Sequence, residues 1–232
     1  GVNWSHMFNS DWMITHRLSA ELLDYGANSL FWFAPASANG SLERFFNNAP
    51  TNHSNRYQTS VNLTGHVTTG ILKHTLLFGY DYIFLDDKIK GNNCCASAPA
   101  FNIFNPIYLA GRPILDSSNN SNMGFTQSWH GAYFQDQVKL PYNFHAMGGF
   151  RYDNAVGRNT VTDLTTSAED RFTPRGGLLW QPMPWLSLYG SYTENFGASN
   201  TLFNTDGQRL PPQTAQQWEA GLKTEFLDGR LR

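Results

Sequence analysis

Seven histidines, two adjacent cysteines and eighteen carboxylates are the side chains here that could do covalent or metal chemistry. Their spacing supports none of it. A G-x-S-x-G elbow presents a nucleophile, G-x-x-x-x-G-K-[ST] cradles phosphate, H-E-x-x-H holds zinc on one helix face, and G-x-G-x-x-G admits a dinucleotide. None of these occurs in the chain. Neighbouring cysteines such as Cys94 and Cys95 rarely reach ordinary disulfide geometry, and a metal site needs more ligands than two. A vicinal bridge at a loop tip, or partners outside the chain, both stay open for them. The histidines lie apart and read as polar residues of a wall or a boundary. No enzyme is expected, and no resident metal or cofactor. What remains is binding. Phe31 and Trp32 in "SLFWF", Tyr108, Gln127, Trp129, Tyr133 and Asn195 combine ring faces with amides. That set suits an apolar-faced, oxygen-rich ligand, the bland alternative being loop packing and water lining.

The elements that position these residues show first in composition. Charged residues are 15% of the 232, against about 25% in ordinary soluble domains, while aromatics also reach 15%. Net charge is −2, which gives no reason to expect a nucleic-acid partner. Mean hydropathy is −0.42, and no apolar run approaches the roughly 18 residues of a membrane-spanning helix. The chain begins at Gly1 without a signal-peptide pattern and stops at "DGRLR" as a new segment begins. It reads as a piece of a longer protein.

A period of two dominates. In "RYQTSVNLTGHVTTG" (56–70), Tyr57, Thr59, Val61, Leu63, Gly65 and Val67 share one face, against Arg56, Gln58, Ser60, Asn62, Thr64, His66 and Thr68. The same sorting separates Leu76, Phe78, Tyr80, Tyr82 and Phe84 from Thr75, Leu77, Gly79 and Asp81. It recurs at 144–153 and 214–226, and less strictly at 11–25, 124–140, 172–181 and 185–197. Runs of about 10–14 residues exceed ordinary soluble strands. Short connections near 9–12, 70–73, 140–143, 181–184 and 227–230 alternate with long ones near 26–55, 88–123, 155–171 and 198–213. The expected fold is all-β: a partial antiparallel transmembrane β-barrel meander, with short turns at one end and long loops at the other. A soluble sandwich also alternates, but rarely with this strand length and loop rhythm.

Charge placement agrees. Arg17, Glu21, Asp81, Arg151, Asp153, Arg175, Glu219, Lys223 and Glu225 all fall on the polar, luminal register. His16, Asp136 and Glu194 fall on the lipid register, near strand ends where a charge costs least. In "WQPMPWLSLYGSY" (180–192), Trp180 and Trp185 flank a proline turn, as rings do at a membrane boundary. From there to Phe196 the rise is about 25 Å, the height of a barrel's apolar band, which brings Tyr192 and Phe196 towards the far boundary. Pro174 is expected to start its strand or sit in a bulge.

At "FTPRGGLLWQPMPWLSLYGSYTENFG" (172–197) the sequence resembles the β-barrel of TonB-dependent siderophore receptors. "LKHTLLFGYDY" (72–82), "GAYFQDQVKLP" (131–141) and "LPPQTAQQWEAGLKTEFLDGRL" (210–231) are similar to further blocks of that family, in family order, and "FNIFNPIY" (101–108) resembles the approach to a long extracellular loop. The resemblance implies a 22-stranded barrel in the outer membrane of a Gram-negative cell, plugged by an N-terminal domain. It implies ferric siderophores as ligand, import energised through TonB, and no reaction on the cargo. Residues 1–232 would then be a barrel fragment lacking the plug, the TonB-contacting region and the terminal strands. A receptor for cobalamin or a glycan and a passive porin share the architecture; a soluble all-β binding protein is the more distant rival.

Overall fold

The computed structural model describes residues 1–108, 120–197 and 210–226. These form one nine-stranded antiparallel sheet in which every strand pairs with its neighbours in sequence. The strands are β1 (Val2–Met7), β2 (Trp12–Phe31), β3 (Ser41–Thr69), β4 (Leu72–Asn102), β5 (Ser121–Lys139), β6 (Phe144–Asn159), β7 (Leu164–Met183), β8 (Leu186–Gly197) and β9 (Gln213–Thr224). The meander expected from the period of two is present.

Register decides which face each residue occupies, because a one-residue slip would exchange the two faces. One cross-strand row runs Ile14, Leu63, Phe78, Phe134, Phe150 and Pro174. A parallel row on the opposite face runs Ser60, Asp81, Gly131, Asp153 and Arg171. On the first face Phe78, Phe134, Phe150 and Phe172 form a chain of ring contacts at 4.9–5.9 Å. Nearer the short turns, Phe144 stacks on Trp180 and Trp185 on Phe226, each at 5.4 Å.

Among the described residues only Phe46, Ala49 and Ala155 are buried apolar side chains, while Leu178, Trp218 and Leu222 are half or more exposed. A soluble chain of this size buries roughly 70% of the surface its unfolded form exposes. A single layer with a bare apolar face is a wall between two media. Among the described residues no helix is long and apolar enough to cross a membrane.

Short turns close one end. Asn9 Oδ1 accepts from the backbone N–H groups of Asp11 and Trp12 at 2.8 and 2.9 Å, Gly70 turns at φ +61°, and Pro141–Asn143 form a 3-10 turn. At the Trp180–Trp185 turn the register shifts, and Gln181 Nε2 donates to Ser187 Oγ at 3.1 Å across the gap.

Three expectations need correction. The strands are not uniformly 10–14 residues: β3 has 29 and β4 has 31. Most of the expected long connections at 26–55, 88–123 and 155–171 is paired strand, and β6 and β7 are joined through residues 160–163 alone. Period two fails there because bulges at 25–27, 46–48, 89–92 and 157–158 switch the parity of one strand against the next. Buried asparagines take up backbone groups that the bulges release; Asn52 Nδ2 donates to the carbonyls of Tyr25 and Ala49 at 3.0 and 2.9 Å. Finally, Pro174 neither starts β7 nor sits at a bulge. The β7–β8 ladder ends beside it at Arg175–Thr193, where a missing N–H donor costs nothing. Cys94 lies in β4 and is disulfide-bonded. The turn expected at 227–230 lies outside the described residues, as do 109–119 and 198–209 of the long connections.

Candidate functional site

The concave, polar face carries a connected network on β3–β6. Arg151 is its hub. Its Nη1 reaches Asp81 Oδ2 at 2.7 Å, and its Nε donates to both carboxylate oxygens of Asp153 at 2.8 and 2.9 Å. Trp129 Nε1 donates to Asp153 Oδ1 at 2.6 Å, and Tyr133 Oη donates to Asn62 Oδ1 at 2.6 Å. The Asp153 side chain is only 4% exposed, so its charge is tolerable because every contact is a charge-assisted donor.

Two glycines make this packing possible. A Cβ at Gly79 would stand 2.0 Å from the Tyr133 ring, and one at Gly131 would stand 1.9 Å from Arg151 Nη2. The ring and the guanidinium therefore lie flat across bare backbone on the neighbouring strand. Arg151 Cζ sits 5.3 Å from the centre of the Tyr133 ring. What the strands present to the interior is a surface of ring faces backed by a hydrogen-bonded charge cluster in which two aspartates share one arginine.

The residues expected to meet ligand fall into three groups. Gln127, Trp129 and Tyr133 lie on the concave register of β5, opposite Leu85, Ile83 and Gly79. Trp129 and Tyr133 have their polar atoms engaged in the wall, which leaves ring faces for contact. Phe31 ends β2 in a cluster with Phe33 and Phe45, at 5.1 and 6.0 Å, and Trp32 follows it, 60% exposed. Tyr108 is 81% exposed, its ring 5.8 Å from Phe101. Asn195 is exposed near the end of β8 and pairs with Ala215. The structure thus joins Trp129 and Tyr133 in one site and leaves Phe31, Trp32 and Tyr108 at the far end of the strands. Phe196, expected at the lipid boundary, meets Trp129 ring to ring at 5.9 Å although β5 and β8 are not neighbours. The β7–β8 ladder has already stopped, which frees that end of β8.

Sorting residues by parity places Asn62, Asp81, Arg151 and Asp153 on the concave face but does not join them. A signal was available in the glycines at 79 and 131, which stand on a register otherwise filled by large or charged groups.

The three polar residues expected on the lipid register, His16, Asp136 and Glu194, are each partnered. His16 Nδ1 accepts from Trp4 Nε1 at 3.0 Å and its Nε2 meets Thr59 Oγ1 at 2.7 Å. Asp136 pairs with His74 at 2.7 Å. Glu194 accepts from Tyr192 Oη and stands 3.8 Å from Arg171. Among the described residues no group of three His, Cys, Asp or Glu side chains is placed to hold a metal ion.

Residues 1–232 match the family model described as TonB dependent receptor-like, beta-barrel. The chain is similar to the metal-pseudopaline receptor CntO of Pseudomonas aeruginosa, 28% identical over 75% of this chain and 26% of that protein. It is also similar to the ferrioxamine B receptor of Salmonella typhimurium, 27% identical over 97% of this chain and 31% of that protein. In fold it resembles the pyoverdine outer membrane receptor FpvA of Pseudomonas aeruginosa, with a TM-score of 0.81, 20% identity, and coverage of 98% of this chain and 33% of that one. The chain spans about a quarter to a third of the length of the curated relatives it matches.

Proposed function

The chain belongs to the TonB-dependent receptor-like β-barrel family, and on that premise we propose that it is the wall of a receptor that imports ferric siderophores and performs no reaction on them. Its place is the outer membrane of a Gram-negative cell. The observation that carries the reading is the single-layer sheet with rings on one face and a paired-charge, ring-paved surface on the other. Such a wall holds a polar lumen inside hydrocarbon. The similar proteins are receptors for chelates, metal-pseudopaline and ferrioxamine B among them, which favours a metal chelate as cargo. The interior contacts we assign to it are the Trp129 and Tyr133 ring faces and the Gln127 amide. Phe31, Trp32, Tyr108 and Asn195 form the outer contacts. Energy would arrive from TonB through polypeptide outside residues 1–232.

Growth of an iron-starved deletion strain carrying the full-length gene, fed a panel of ferric chelates, tests this. Rescue by one or more ferric siderophores, lost without TonB, is the expected result. Rescue by none of them, with uptake of cobalamin or an oligosaccharide instead, overturns the cargo. Passive uptake independent of TonB makes the barrel a porin.

A further inference from the structure

On the convex face near the short turns, three polar side chains from three strands join diagonally. Thr69 Oγ1 lies 2.7 Å from His74 Nε2, and His74 Nδ1 lies 2.7 Å from Asp136 Oδ2. Thr69 ends β3 at the parity of Leu63, His74 shares the parity of Phe78, and Asp136 that of Phe134, so all three stand on the ring-covered side. A carboxylate that faces hydrocarbon is unfavourable unless partners satisfy it. Here they do so only in part: Asp136 Oδ1 is buried without a hydrogen-bond partner. A neutral imidazole that donates its Nδ1–H to Asp136 accepts the Thr69 hydroxyl through Nε2. Every proton of the relay then points inward, and its exposed end, Thr69 Oγ1, offers only lone pairs. The relay as a whole carries the negative charge of Asp136. Beside it the surface is open. Gly148 stands opposite Asp136 on β6, and a Cβ there would meet nothing within 4 Å. The Phe134 and Phe150 rings, 5.9 Å apart, border that opening on the side away from the turns.

We propose that this relay binds the primary ammonium of a zwitterionic phospholipid, phosphatidylethanolamine, with an acyl chain lying over Gly148 against the two phenylalanine rings. The convex face of such a wall meets lipid, so lipid is the occupant that reaches it. A negatively charged relay that ends in lone pairs selects a cationic donor over a phosphate. A primary ammonium has three N–H donors, whereas the quaternary ammonium of a choline lipid has none, so Thr69 Oγ1 distinguishes the two. Depth agrees. Asp136 is three residues from the end of β5 at Lys139, about 10 Å along the strand, and Thr69 stands at the turn itself, where headgroups begin. Short turns of these barrels face the periplasm, which places the lipid in the inner leaflet. The inference needs only that the convex face meets lipid; it holds whatever the cargo is.

Native mass spectrometry of the full-length receptor in mild detergent provides the test. The probe is an equimolar mixture of phosphatidylethanolamine, phosphatidylcholine and phosphatidylglycerol with identical acyl chains. Phosphatidylethanolamine should be retained over phosphatidylcholine by at least about ten-fold, the factor that one charge-assisted hydrogen bond supplies. Asp136→Asn should bring the two lipids level, and Thr69→Ala should remove part of the preference. If Asp136→Asn fails to assemble, N-methylated ethanolamine lipids on the wild-type receptor decide the matter, with retention falling at each added methyl. Equal retention of the three lipids by the wild-type receptor overturns the proposal, and the relay is then only a strut within the wall. So does a preference that survives Asp136→Asn, or one for phosphatidylglycerol, which would mark a phosphate site on a protonated His74.

Discussion

Two charge clusters share the concave face and differ in what they lack. Around Arg151, each charge meets an opposite one: Asp81 at 2.7 Å, Asp153 at 2.8 Å, with Trp129 completing the set. Around Lys139, roughly 20 Å away along the strands, Lys73 and Lys139 stand directly opposite each other, both exposed, with Asp11 lining the same hollow. The first cluster is finished by the strands themselves. The second is left to solvent, which screens its exposed charges. A hydrogen-bonded, partly buried network stiffens a wall, whereas exposed like charges repel only weakly and add little to its stability.

That contrast yields ordered expectations, each measured on the full-length receptor by urea unfolding in detergent. Asp153→Ala should cost most, about 2–4 kcal/mol, because it removes the charge-assisted hydrogen bonds to Arg151 Nε and leaves the Trp129 N–H without its acceptor, while Asp81 still pairs with Arg151. Trp129→Phe removes one charge-assisted hydrogen bond and keeps the ring, so a loss of about 1.5–3 kcal/mol is expected. An unchanged unfolding midpoint would show that Asp153 finds another donor. Gly131→Ala pushes a methyl into the space of Arg151 Nη2 and should cost about 1–3 kcal/mol. Pairing it with Arg151→Ala should recover most of the overpacking part, since the clash is then gone. Lys139→Gln should change stability least, by under about 1 kcal/mol, because an exposed charge interaction is weak. A loss as large as that of Asp153→Ala would erase the distinction between the clusters.

Much of the candidate site was readable residue by residue. Arg151 and Asp153 share a parity, as do Trp129 and Tyr133, and that alone places all four inside the barrel. Nothing in their spacing along the chain says that Asp81, 70 positions from Arg151, closes the cluster. Contacts at that separation depend on the registers β4–β5 and β5–β6, which accumulate over two strand pairs. The far halves of the long strands were hidden for a related reason, since bulges there switch the parity. Alternation reads cleanly only while the register is unbroken, and each bulge moves the following residues to the other face.

What the amino-acid order determined alone is the sidedness of the wall: rings at one parity, charges and amides at the other, and tryptophans beside Pro184 at the rim. Side-chain parity in a strand is a local property, so local sequence suffices. What only the tertiary structure decided is which charges meet and which do not. Pairing energy depends on distances between strands, and the chain carries no local mark of its register.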